Sequence, residues 1–369
     1  NNNHNKKCNI EFLKKLFDKS FFEQNTVTAY LNEIYSNEPA KNIIQIYNNK
    51  DIQQIPKKFR ILILSQKGYD SDIYQEIKGT TEEKMYWKTL NAYEGEKNNF
   101  VYDSCLKYKN YTMCLEMIYK QEDEYEKKCK LLEIIKKEKY KPTKFDEYMI
   151  QRIFQSFYND TKISNFERIA MLEIYYNPIL GKNIYFLSKE ASKTPRVVAE
   201  LAEFAYISDD ETSSKSESIQ NSSYNCYCIL HNLKINFENI DCKKWCNDFI
   251  DLMKKNKRTK IMYTLLGQLL ARTDNDHEDG MYPSKKIRKV IEQYHSEQLS
   301  RSFEIEKYNS RGVHYIGTGE EEYALYKQYL NWAKQMRVDY PETSKILDSI
   351  AQTYKEESEF YRENANYVL

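Results

Sequence analysis

The chain has 369 residues and carries 56 Lys+Arg against 55 Asp+Glu, a net charge of +1, so it lacks the basic excess of a protein built mainly around nucleic acid. Only 9 Gly and 7 Pro occur, too few for the tight turns of a sandwich, barrel or doubly wound sheet, while 41% hydrophobic residues with 33 Tyr and 16 Phe exclude global disorder. No apolar run of about 18 residues is present, which excludes a spanning helix within this sequence.

The chain opens on Asn1-Asn2-Asn3-His4 without an initiator Met or an apolar signal core. The expectation is a piece of a longer, cytoplasmic protein whose eight cysteines are reduced thiols. Helical spacing of apolar residues predicts helices around residues 12–17, 27–34, 43–47, 85–90, 125–135, 150–157 and 169–176. The short apolar run Arg60-Ile61-Leu62-Ile63-Leu64 fits a strand or a buried helix equally. Val101, Cys105 and Tyr108 form one stripe, Asn110 breaks it, and Met113, Cys114, Met117 and Ile118 resume it, which predicts a helical hairpin.

Residues 208–218 are small, polar and acidic and read as a mobile loop or linker. Further breaks fall at 274–280 and 310–319. Near the C-terminus Tyr326, Tyr329, Leu330, Ala333 and Met336 share one face, and Ile346, Leu347, Ile350, Ala351 and Tyr354 share another. Between them Asp339-Tyr340-Pro341-Glu342 reads as a helix start with Asp339 as the acidic cap, so these two helices must lie antiparallel. The predicted fold is all-α: an array of antiparallel helical hairpins, solenoid-like or superhelical, with a C-terminal helical bundle and no fixed repeat period. Its expected divisions are a hairpin array over 1–207, a flexible loop over 208–223 and a C-terminal module over 224–369.

Chemistry is sparse. Cys226, Cys228, His231, Cys242 and Cys246 are residue types that zinc takes, yet neither cysteine pair has the two-residue gap of a zinc knuckle. On a helix, 226 and 228 point to different faces, so they read as core and boundary thiols and no metal is assigned. His277, His295 and His314 have no nucleophile signature around them. Gly317-Thr318-Gly319 lacks the ending of a phosphate loop, and the three glutamates after it suit a helix N-terminus. The best basic run, Lys254, Lys255, Lys257 and Arg258 with Lys260, could meet nucleic-acid phosphates, but no nucleic-acid motif surrounds it.

The stretch from Asp279-Gly280-Met281-Tyr282-Pro283 to Arg311-Gly312-Val313, then the step Tyr340-Pro341-Glu342-Thr343, resembles the C-terminal helical module of very large, poorly characterised bacterial multidomain proteins. Ser302-Phe303 stands where that pattern has Gly-Phe. Residues 170–206, and more loosely 64–119, are similar to the preceding part of such modules. The resemblance implies a scaffold or sensor region following an effector or nucleotide-hydrolysing domain, with antiviral defence as its setting, and no catalytic residue to carry over.

The expected function is therefore a non-catalytic helical region that binds a protein partner or another domain of the same polypeptide, with no cofactor and no membrane contact. Tyrosine-rich helical faces suit such partners, offering large area and a polar tip with little entropy to lose. Candidate contact residues are Arg311, His314, Lys254, Lys255, Lys257 and Arg258. Two alternatives stand beside this: a nucleic-acid-binding domain using the basic run, or an enzyme whose site unites Arg311, His314 and Glu304.

Overall fold

The computed structural model describes residues 31, 38–65, 67–90, 98–121, 124–160, 163, 166–210, 217–312 and 317–364. Among these every regular element is a helix, and within each unit helices near one another in the chain pack together. The helices predicted at 12–17 and over most of 27–34 lie outside the described residues, as does His314. The chain forms two compact units, Asn1–Thr161 and Lys162–Leu369.

The first unit contains α1 (Ala40–Tyr47), α2 (Lys50–Gln53), α3 (Lys57–Ser65), α4 (Ser71–Ile77), α5 (Glu83–Thr89), α6 (Asn99–Lys107), α7 (Tyr111–Ile118), α8 (Tyr125–Lys137) and α9 (Lys144–Asn159). The ambiguous run at 60–64 is helical. Every residue from Arg60 to Ser65 in α3 is buried, so covering on all sides erased the one-sided period that marks a surface helix. Asn110 is the hinge of the predicted hairpin. Its Oδ1 accepts from the Met113 amide at 3.2 Å, and its Nδ2 donates to the Trp87 and Leu90 carbonyls at 2.9 and 2.7 Å.

The second unit contains α10 (Phe166–Leu180), α11 (Tyr185–Lys193), α12 (Arg196–Ala205), α13 (Glu217–Asn232), α14 (Cys242–Lys255), α15 (Thr259–Ala271), α16 (Lys285–Tyr294), α17 (Glu297–Asn309), α18 (Glu320–Met336) and α19 (Pro341–Asn364). The polar stretch 208–223 lies inside this unit, and its residues from 217 onward open α13. Helices α12 and α13 on its two sides pack together. Asp209 is held rather than loose. Its carboxylate accepts from the Thr259 amide at 2.7 Å and the Thr259 hydroxyl at 2.6 Å, capping α15 from 50 residues away.

At the C-terminal end α18 and α19 are antiparallel. The Ser344 hydroxyl donates to the Ala333 carbonyl at 2.8 Å, and the Ser358 hydroxyl donates to the Gly319 carbonyl at 2.7 Å, so the start of each helix meets the end of the other. Gly319 takes φ of 79°, and a Cβ there would stand 2.5 Å from the Ser358 carbonyl oxygen, so only glycine fits this close pairing. The cap of α19 differs from the expected Asp339. The amides of Glu342 and Thr343 donate to the Glu292 carboxylate at 3.1 and 2.8 Å, a partner from α16 that local spacing does not disclose.

Candidate interaction site

The candidate contact residues prove to have different surroundings. The Arg311 guanidinium binds Glu321 at 3.0 Å and Glu322 at 2.7 Å, and the Glu322 side chain is only 3% exposed. With the Tyr354 ring 5.9 Å away, Arg311 ties the end of α17 to the first turn of α18. Glu304 of the enzyme alternative bonds elsewhere, accepting from the Ser349 hydroxyl at 2.9 Å.

In the basic run, Arg258 is buried and donates to the Tyr206, Glu203 and Asn256 carbonyls at 3.0, 3.0 and 2.8 Å, serving the end of α12 rather than solvent. Lys257 pairs with Asp210 at 2.6 Å, and the Lys260 ammonium donates to the Asp209 carbonyl at 3.0 Å. Lys254 and Lys255 are exposed on the last turn of α14, where positive charge suits the helix C-terminus. The acidic loop thus meets the basic run and neutralises part of it.

Of the cysteines, Cys226 and Cys228 are half-buried on α13, while Cys242 and Cys246 are buried one turn apart on α14. The Cys242 contact and burial push the Cys246 thiol far above its ordinary range, which leaves it an inert core group. Among the described residues no group of three or more His, Cys, Asp or Glu side chains is placed to hold a metal ion.

Two surfaces stand out in the second unit. The first is aromatic. Tyr206 at the end of α12 meets Tyr227 of α13 edge-on at 6.1 Å, Tyr224 stacks with Tyr227 at 6.5 Å, and Tyr227 covers His231 at 4.2 Å. Close by in the chain, Phe204 is 62% exposed and Ile207 52%, while Tyr224 is 69% exposed. Large apolar side chains held this far into solvent form a ridge of the kind that partner proteins cover. Burial, reinforced by the Arg272 charge, holds His231 below its ordinary value.

The second surface is a polar cleft of about 810 Å³ between α11, the segment joining α13 to α14, and the 272–286 loop. Arg272, with a side chain only 6% exposed, forms its deep end. It binds Glu306 at 2.8 Å and donates to the Leu230 and Leu233 carbonyls at 2.6 and 3.0 Å, closing the C-terminus of α13. The loop wall organises itself around two acids. Asp276 accepts from the amides of Glu278 and Lys285 at 2.9 and 2.7 Å, and Asp279 grips the buried Arg288 at 2.7 and 3.0 Å. Bonding to Arg288 holds the Asp279 carboxyl below its usual range. At the mouth His277 bonds Glu238 at 2.8 Å, which raises the imidazole.

Residues 233–237 along this cleft are a feature that helix-seeking periodicity missed. They read Leu-Lys-Ile-Asn-Phe, and the signal was strict alternation of apolar and polar residues. Compared with protein-family models, with curated proteins and with solved structures, the chain matches none.

Proposed function

We propose that the chain is a non-catalytic helical interaction module, a scaffold or sensor region whose aromatic ridge docks a protein partner or another domain of the same polypeptide. One observation carries this reading: Phe204, Ile207 and Tyr224 stand more than half exposed around the Tyr206–Tyr227 contact. Rigid aromatic side chains gain large contact area at small entropic cost. Support also comes from the basic run, where Lys257 and Arg258 are committed to Asp210 and to backbone carbonyls, which weakens the nucleic-acid alternative. The resemblance of residues 279–313 to modules of large bacterial proteins is in keeping with a ridge that serves a larger polypeptide, for which we propose antiviral defence as the setting.

The test is site-directed crosslinking in the cells of origin. A benzophenone-bearing residue at position 224 should capture one defined protein, and a variant carrying both Phe204→Ala and Tyr224→Ala should lose that association with its helical circular dichroism unchanged. Equal capture from position 338, which is 89% exposed but lies elsewhere, would defeat the reading, as would an association that survives the double substitution.

A further inference from the structure

Among described residues whose regular elements are all helical, residues 233–238 alternate without exception: Leu233, Ile235 and Phe237 are buried, while Lys234, Asn236 and Glu238 are exposed. That is the pattern of an extended chain lying flat on a core. The hydrogen bonds agree. The Ser188 hydroxyl accepts from the Lys234 amide at 3.3 Å, and the Ser192 hydroxyl accepts from the Asn236 amide at 2.9 Å. Four helical residues advance about 6 Å and two extended residues about 6.6 Å, so serines four apart on α11 match amides two residues apart only if the segment is extended. Trp245 anchors the buried face, meeting Phe237 edge-on at 5.4 Å and donating to the Ala191 carbonyl at 3.0 Å.

In an extended chain the N–H and C=O of one residue point to the same edge, and successive residues alternate edges. The α11 edge therefore carries 234 and 236, already fastened by the serines. The opposite edge carries 233, 235 and 237. Its two ends are held, the Leu233 carbonyl by Arg272 at 3.0 Å and the Phe237 carbonyl by Lys286 at 3.3 Å. Between them the backbone N–H and C=O of Ile235 have no hydrogen-bond partner among the described residues, and Ile235 lines the cleft. This is an extended edge whose central donor and acceptor pair is unpaired among the described residues, flanked by two cations that fix its ends, beside a cavity within the usual size range of ligand sites.

We infer that this cleft receives an extended peptide segment of a partner protein, added as a strand alongside residues 233–237 and paired with Ile235 through both backbone hydrogen bonds. Backbone pairing of this kind gives affinity with little demand on sequence, and the alternate side chains of the guest set specificity. Here the guest's side chains meet a wall of mixed charge, in which Asp274 and Lys234 stand exposed. A guest carrying both signs of charge along one extended edge fits that wall. The inference rests on a surface other than the aromatic ridge and stands or falls separately.

The experiment selects binders to the intact chain from a displayed library of random linear peptides. The best peptide is then remade with N-methyl groups at odd or at even positions. One set should weaken binding about tenfold or more and the other should leave it nearly unchanged, because only alternate amides face the host edge. Bound peptide should slow hydrogen exchange at the Ile235 amide. Asn275→Trp, which fills the cleft from its loop wall, should abolish binding, whereas the Phe204→Ala, Tyr224→Ala variant should bind as the parent does. Ile235→Pro removes the open donor and should weaken binding comparably; if it fails to fold, the Asn275→Trp result and the methylation pattern decide. Failure to select any peptide, equal tolerance of both methylation patterns, or unchanged exchange at Ile235 would each overturn the inference.

Discussion

Among the described residues of the first unit, each side chain that caps a helix start stands beside that helix in the chain. Asp70 accepts from the Asp72 and Ile73 amides, Asn98 from Val101, and Thr143 exchanges bonds with Asp146 in a capping box at the start of α9. In the second unit helix starts are also capped from farther away, α16 by Asp276 nine residues before its Lys285 amide and three others from 13 residues or more. Glu173 of α10 accepts from the Phe186 and Leu187 amides of α11 at 3.1 and 2.6 Å, Glu292 of α16 caps α19, and Asp209 caps α15. Local caps of the Asp241 and Ser296 kind occur there too, so the long-range caps are an addition. A local cap stabilises one helix. A distant carboxylate satisfies the same orphan amides and also fixes where one helix sits on another, so the second unit ties helix formation to tertiary packing.

The sharpest way to break this comparison is at Glu173, which is fully buried. Glu173→Ala strands two buried amides and should cost about 3 kcal/mol in urea unfolding, against about 1 kcal/mol for loss of an ordinary local cap. Glu173→Gln, which keeps an acceptor oxygen, should recover more than half of that loss. Similar costs for Glu173→Ala and for a local cap would erase the distinction between the units.

Next in size is Glu292→Ala, expected at about 2 kcal/mol because the Thr343 hydroxyl and two amides lose one acceptor. Hydrogen exchange should quicken in both α16 and the first turn of α19. Thr143→Ala should cost about 1 kcal/mol, with faster exchange confined to the first turn of α9. If Glu292→Ala also acted on α19 alone, the carboxylate would be an ordinary cap that happens to come from another helix.

The same contrast explains what the sequence discloses. Asn110 announces its hairpin because the break, the cap and the capped amides all lie within a few residues. The paired stripes of α18 and α19 are legible for the same reason. Glu292 is a glutamate in the middle of a charged helical face, and nothing near it marks it as the cap of α19 in place of Asp339. Asp209 sits in a stretch whose composition reads as a linker, and its role appears only when Thr259 is brought to it. At the candidate contact residues, local reading supplied charge but not partners: Arg311 is clasped by Glu321 and Glu322, and Arg258 is buried under carbonyls. The alternation at 233–238 was present in the letters. It was masked because a short period-two run between two strong helical patterns carries little weight beside them.

The smallest effect, and the one that tests electrostatics alone, is the pH response at Asp209. Hydrogen bonds from the Thr259 hydroxyl first, then from the Thr259 and Lys260 amides, hold this carboxyl below the usual aspartate range. A carboxyl depressed in the folded state favours folding wherever it is charged. Its contribution is complete above the unfolded value of about 3.9 and disappears as pH falls through the lower folded value. Asp209→Asn should therefore lower the melting temperature near neutral pH, and the gap from the parent should narrow on acidification until both chains melt together. The bonds from Thr259 to Asp209 lie at the solvent-exposed surface, so added salt should narrow the same gap at neutral pH. A gap that stayed constant from neutral to acid would mean that α15 gains only a neutral hydrogen bond from this residue, and the charge of the acidic loop would have no part in joining it to α15.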